Sequence, residues 1–212
     1  LELRITEIFF SLQGETRTVG LPTVFVRLTG CPLRCGYCDT AYAFKGGKKL
    51  SLEDILTQVK RYQTRYVTIT GGEPLAQKNC LPLMQRLCDE GYHVSLETSG
   101  ALDISDVDPR VVKVVDLKTP ASTESEKNLY SNIDHLNKHD QVKFVICNRE
   151  DYDWSVATMN HYQLSNICEV LFSPSYKDIA GTTLADWIVN DQLPVRFQIQ
   201  LHKILWQDQP GK

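Results

Sequence analysis

The sequence predicts an α/β fold on a mostly parallel sheet: an open, partial (β/α)6-type barrel forming a single compact domain over residues 1–212. Three features point there. Short β-branched runs alternate with amphipathic segments, the pattern of parallel strands joined by crossover helices. About six such units are present, whereas a closed eight-strand barrel needs roughly 250 residues. Nearly every run also ends in a polar, reactive cluster, as expected where the C-terminal ends of several strands build one site.

Strands are expected at 23–29, 66–70, 93–98, 111–117, 142–147, 167–172 and 195–201, because β-branched runs of this length read as buried strands. Helices are expected at 52–61, 80–90, 124–137, 151–161 and 184–190. Ser51 with Asp54 resembles a capping box, and Gly91 stands where a helix C-terminal glycine belongs. The run 24–29 leads into a cysteine-rich loop and 66–70 into Gly71-Gly72-Glu73-Pro74. The run 93–97 leads to Thr98, Ser99 and Gly100, and 112–115 to Asp116, Leu117 and Lys118. The last two lead to Ser173, Pro174, Ser175 and Tyr176, and to His202 and Lys203. One polar loop is ordinary; six in succession favour a shared face.

Composition narrows the class. A net charge of −3 with dispersed Lys and Arg gives no general attraction to nucleic acid. No run approaches the roughly 18 apolar residues of a membrane span, and the first residues carry no secretory pattern. Seven cysteines cannot all pair, and unpaired cysteines belong in a reducing compartment, so a cytoplasmic enzyme is expected.

The most specific motif is Cys31, Cys35 and Cys38 in C-x3-C-x2-C spacing. Three thiolates can hold three irons of a cubane 4Fe-4S cluster and leave the fourth open for chemistry. Structural zinc is the plainer alternative, but zinc ligands usually come as two C-x2-4-C pairs about a dozen or more residues apart. Cys80, Cys88, Cys147 and Cys168 are scattered singly. The cysteines alone leave zinc open, while their spacing favours the cluster.

This loop, followed one strand later by Gly71-Gly72-Glu73-Pro74, resembles the radical S-adenosylmethionine (radical SAM) superfamily. The resemblance implies that the open iron is chelated by S-adenosylmethionine (SAM), which is cleaved on one-electron reduction to start hydrogen abstraction. It further implies SAM contacts from Tyr37, Cys38, Asp39, Gly72, Glu73, Lys118, Ser173, Pro174, Ser175 and Tyr176. The paired glycines are expected to let the ligand approach the backbone closely.

The segment Ser11-Leu12-Gln13-Gly14-Glu15, then Arg27, Cys38-Asp39-Thr40, Leu96-Glu97-Thr98-Ser99-Gly100 and Gln200-Leu201-His202-Lys203 resemble the 7-carboxy-7-deazaguanine synthase family. The resemblance runs from Glu7 to about Trp206. It implies conversion of 6-carboxy-5,6,7,8-tetrahydropterin to 7-carboxy-7-deazaguanine with loss of ammonia, in 7-deazapurine and queuosine synthesis. It also implies Mg2+ on Thr40, a homodimer, an external flavodoxin-type reductant and a substrate-closing segment at about 195–212. Leu12, Gln13, Gly14, Glu15, Arg27, Thr70 and His202 are the implied substrate contacts. No protein residue beyond the cofactor ligands is assigned a catalytic role.

These roles suit the chemistry. An amide and a carboxylate complement an amino-pyrimidinone edge, and an arginine fork pairs with a carboxylate in two places. Plainer readings stand beside them: Gln13 and Glu15 as exposed turn residues, Arg27 in a sheet-edge salt bridge, Thr40 and His202 as caps. Thr16 stands where the family usually has a second glycine, and its β-branching predicts a differently bent loop. The family's C-terminal carboxylate contact is not carried over, because this chain continues past the His-Lys pair. A glycyl-radical-enzyme activase is the runner-up; a zinc or electron-transfer module is third.

Overall fold

The computed structural model describes every residue except Asp208, Pro210 and Lys212. Its elements are β1 (Glu2–Leu12), β2 (Pro22–Leu28), β3 (Lys48–Ser51), α1 (Leu52–Val59), β4 (Tyr66–Gly71), α2 (Cys80–Asp89), β5 (His93–Thr98) and β6 (Val112–Asp116). Then come β7 (Gln141–Ile146), α3 (Arg149–His161), α4 (Leu164–Ile167), β8 (Glu169–Pro174), α5 (Gly181–Asn190), β9 (Arg196–Phe197) and α6 (Leu201–Trp206). The nine strands form one sheet in the order β3-β1-β2-β4-β5-β6-β7-β8-β9. From β2 to β9 every pairing is parallel, while β1 runs antiparallel to both β2 and β3. The two edge strands do not meet, so the barrel stays open.

Register divides the sheet into two unlike faces. Val24, Val26, Leu28, Val67, Ile69, Val94, Leu96, Val142, Phe144 and Ile146 are buried with helix residues such as Ile55, Leu83, Leu87 and Tyr152 in one apolar core. The intervening residues are largely polar. The pairings Glu7 with Arg27 and Arg27 with Thr70 carry this second face across β1, β2 and β4. Glu97 with Val114 and Asp116 with Lys143 carry it across β5, β6 and β7. A strand's period of two makes this division automatic: the core is on the helical side and the chemistry on the other.

Local signals explain the elements. Ser51 Oγ accepts from the Asp54 amide and caps α1, as expected. Asn148 does the same for α3 through the Asp151 amide. Gly91 has φ +82, the left-handed value of a helix-terminating glycine.

Four expectations need correction. Strands β1 and β3 were not anticipated, although Leu3 and Ile5 alternate with Glu2, Arg4 and Thr6. The helix expected at 124–137 is instead two short 3-10 turns, Ser125–Lys127 and Tyr130–His135. There Asn128 clamps the backbone of Lys118 at 2.8 and 2.9 Å, and Asn132 binds Ile104, Gly100 and Leu102. These tethers to the strand-end loops are incompatible with one straight helix. The strand expected at 195–201 shrinks to β9 and gives way to α6, because Gln198 and Gln200 turn their amides to the N-terminal loop. Finally, Thr16 does adopt φ +68, so the bend is glycine-like after all. Its buried backbone oxygen is held by Gln198 Nε2 at 2.9 Å, offsetting a strain of about 1–3 kcal/mol.

Candidate active site

The cysteine loop leaves the end of β2 and is pinned on both sides. Its Gly30 amide donates to Ala43 and its Gly30 oxygen accepts from the Glu73 amide at 2.8 Å. Cys31, Cys35 and Cys38 are free and partly exposed. Burial pushes the Cys31 and Cys35 thiols up, the latter to about 11, so iron has to displace their protons on binding. Among the described residues no three His, Cys, Asp or Glu side chains converge on a single-ion site.

Gly71 and Gly72 pack against this loop. A Cβ on Gly72 would lie 2.3 Å from the Gly30 oxygen and 2.8 Å from Cys31 Cβ, and one on Gly71 2.3 Å from the Leu28 oxygen. The glycines admit the cluster loop's own backbone. The Glu73 carboxylate is fully buried and accepts from the Leu75 and Ser99 amides and from the Thr98 and Ser99 hydroxyls. It is a brace between the β4 and β5 ends with its acceptors already taken.

Lys118 is buried and not a surface lysine, with Nζ 3.1 Å from Asp116 and 5.7 Å from the Tyr37 ring centre. The Tyr37 hydroxyl and Asp116 Oδ1 are buried without a partner among the described residues. Buried polar atoms are normally satisfied, so this wall is shaped to receive a polar ligand. Burial and the Asp116 carboxylate push the Tyr37 phenol far above its ordinary range, keeping it a neutral donor. Ser173 and Pro174 lie within β8, paired to β7; Ser175 bonds Asp178, and Tyr176 is exposed, with Lys203 over its ring at 5.5 Å.

The other half of the pocket gathers the N-terminal loop, the polar sheet face and α6. Gln13 is buried, donating to Thr68 and Glu97 and accepting from the Glu15 amide, so it is no exposed turn residue. Leu12 ends β1. Gly14 lies so close to α6 that a Cβ would meet His202 Nδ1 at 2.3 Å. Burial pushes the His202 imidazole down, so it is neutral near pH 7. Burial alone would raise Glu15, but the Lys143 ammonium at 2.7 Å outweighs it and keeps Glu15 ionised. Burial and the Glu15 charge push Glu97 up; Thr70 donates to it at 3.0 Å. Arg27 forms a salt bridge inside the sheet and not at its edge, Nε to Glu7 at 2.8 Å, and Tyr42 donates to the same Glu7 oxygen.

Thr40 precedes a 3-10 turn without capping it. Its hydroxyl donates to Asp39 at 2.9 Å, and Asp39 also binds Lys203 at 2.8 Å and Gln200 at 3.2 Å. Burial would raise Asp39, but Lys203 holds it far below the usual carboxylate range.

Comparison with known proteins matches this arrangement. The Radical SAM superfamily profile covers residues 25–170. The 7-carboxy-7-deazaguanine synthase of Koribacter versatilis is 44% identical over 96% of this chain and 97% of its own. The chain belongs to the 7-carboxy-7-deazaguanine synthase family. The family member of Chlorobaculum tepidum is 39% identical over 96% of this chain and 94% of its own. The crystal structure of QueE from Escherichia coli superposes with TM-score 0.78 at 24% identity, over 95% of both chains, and attests the shared fold. Membership makes this chain a radical SAM enzyme of the deazapurine pathway, using a 4Fe-4S cluster and SAM. It supersedes the activase and non-enzymatic alternatives. No helix among the described residues is long and apolar enough to cross a membrane.

Sequence reasoning assigned no role to Glu7, Tyr42, Glu97, Asp116 or Lys143 in the family's site. For two of them the signal was period-two alternation: Ser95 and Glu97 flank Leu96, and Lys143 sits between Val142 and Phe144.

Proposed function

We propose that this chain converts 6-carboxy-5,6,7,8-tetrahydropterin to 7-carboxy-7-deazaguanine with loss of ammonia. The observation that carries the reading is the convergence of Gln13, Glu15, Arg27, Thr70 and His202 beside the cysteine loop, on the polar face of one sheet. The cluster, held by Cys31, Cys35 and Cys38, and SAM together supply, when bound, a radical that removes one hydrogen atom from the substrate.

The chain's own residues bind, orient and shield. Glu15 accepts from the pterin's amino-pyrimidinone edge, with Gln13 and the Leu12 and Gly14 backbone shaping that end. Arg27, held by Glu7, turns the rest of its fork to the substrate carboxylate. Thr70 and Glu97 line the floor, and His202 on α6 closes over Gly14, excluding water. SAM is received by Tyr37, Cys38, Asp39, the Gly72 backbone and Lys118, with Ser173, Pro174, Ser175 and Tyr176 on the far side. Glu73 supports that pocket from behind.

Thr40 suits Mg2+ in one respect: its proton goes to Asp39, so its lone pairs are free for a cation. One neutral hydroxyl is a weak ligand, and Mg2+ wants six oxygens at about 2.1 Å. Substrate oxygens and water therefore complete the shell, and Mg2+ binds well only with the pterin present. The closing segment comprises β9 and α6; its expected end at 212 reaches residues outside the described ones. Homodimerisation and a flavodoxin-type reductant rest on the family resemblance alone. Free cysteines and an oxygen-sensitive cluster support a reducing, cytoplasmic setting.

The test is anaerobic turnover with reduced cluster, SAM, Mg2+ and the pterin, followed by product mass. Cys38→Ala is expected to lose cluster and SAM cleavage together. SAM cleavage with no change in the pterin would overturn the substrate assignment.

A further inference from the structure

A ladder of alternating charges crosses the polar face of the sheet, and its central rung, Lys143, is assigned no contact with either ligand in the reading above. Lys143 Nζ lies 2.7 Å from Glu15 Oε2 and 3.5 Å from Asp116 Oδ2. The same Asp116 oxygen lies 3.1 Å from Lys118 Nζ. All four side chains are 11–16% exposed, so water and salt screen them far less than surface pairs. The two ends of the ladder serve different ligands: Glu15 faces the pterin pocket and Lys118 the SAM pocket.

The unequal distances give the ladder a direction. Lys143 sits tightly on Glu15 and loosely on Asp116, which leaves Asp116 holding Lys118. A donor on the pterin that engages Glu15 competes with Lys143 for the carboxylate. The Lys143 charge then shifts toward Asp116, whose Oδ1 is a buried acceptor with no partner among the described residues. Asp116 in turn relaxes its hold on Lys118, and that ammonium becomes available to the SAM carboxylate. Linkage makes the effect reciprocal: SAM tightens the pterin by the same factor.

We propose that Lys143 is a positioning residue that couples the pterin and SAM pockets, so that each ligand strengthens binding of the other. The inference rests on the pterin reading above. It touches neither ligand's reacting atoms; it sets which carboxylate each cation serves.

The experiment titrates SAM into cluster-loaded enzyme by calorimetry, with the cluster oxidised so that no turnover occurs, with and without saturating carboxytetrahydropterin. In the wild type the pterin is expected to tighten SAM by about fivefold or more. In Lys143→Met SAM still binds alone and the pterin binds more weakly, but the coupling factor falls to within about twofold of unity, and Lys143→Arg restores most of it. A Lys143→Met protein that fails to fold is replaced by Asp116→Asn, which cuts the ladder on the other side of Lys143 and is expected to lose the coupling too. Undiminished coupling in the variant, or none in the wild type, overturns this inference alone. A wild type that binds SAM but no pterin overturns the functional reading, and the inference falls with it.

Discussion

Gly72→Ala tests whether the glycine pair exists to seat the cluster loop. The new methyl group would lie 2.3 Å from the Gly30 oxygen, 2.7 Å from its carbonyl carbon and 2.8 Å from Cys31 Cβ. To reach an ordinary contact of roughly 3.5 Å, the Gly30 oxygen must retreat by about 1.2 Å. These are backbone atoms, so no side chain can simply swing aside. The retreat breaks the bond from the Glu73 amide to Gly30, now 2.8 Å, worth about 1 kcal/mol. Overpacking adds about 1–3 kcal/mol, for a total near 2–4 kcal/mol. For a chain of this size that lowers Tm by about 5–15 °C. Cys31 moves with Gly30, so the variant is expected to take up substantially less iron on anaerobic reconstitution and to lose the visible absorbance of the cluster. Differential scanning calorimetry and iron analysis read the two effects separately. Full iron loading with Tm within about 2 °C of wild type would refute the argument.

Arg27→Lys keeps a charge but loses the planar fork, so KM for the carboxypterin is expected to rise about tenfold with little change in kcat. Tyr42→Phe removes one donor to Glu7 and should raise KM about two- to tenfold; an unchanged KM would mean Glu7 does not need Tyr42 to hold Arg27. Burial and the Glu15 charge raise Glu97 in the folded state, so stability declines as pH climbs from the unfolded value of about 4.3 through the higher folded one. Glu97→Gln keeps an acceptor without the charge; its Tm should exceed wild type at about pH 8 and converge with it near pH 5. His202, lowered by burial, behaves oppositely. Its contribution is complete above about pH 6.5 and is lost as pH falls toward the depressed folded value. Hydrogen exchange should show α6 amides losing protection as pH falls below about 6.5, and His202→Gln should abolish that pH dependence; equal loss in the variant contradicts it.

The cysteine spacing, the Gly71-Gly72-Glu73-Pro74 turn and the Ser11–Glu15 segment were legible in the sequence because each is local. Spacing along one loop fixes which side chains can meet a single ligand. The strand runs at 66–70, 93–98 and 142–147 were legible for a similar reason: β-branched residues on alternate positions mark a strand's buried face wherever it packs. Strand β1 was missed despite its alternation, since its pairing with β2 and β3 is antiparallel and no crossover helix announces it. The region 124–137 misled because its apolar residues are spaced amphipathically, while Asn128 and Asn132 had partners ten to thirty-two positions away.

Residue types and spacing by themselves put three thiols in one loop with a paired-glycine turn one strand later, and the resemblance they carry implied a cluster, SAM and a carboxylated pterin. Only the tertiary structure decided what each group is free to do. It showed Glu73 already saturated, Thr16 bent like a glycine, Arg27 shared with Glu7, and Lys143 standing between two carboxylates. The reason is that a side chain's charge and hydrogen-bonding capacity are set by neighbours distant in the chain, and parallel pairing brings such neighbours together at strand ends that the sequence keeps apart.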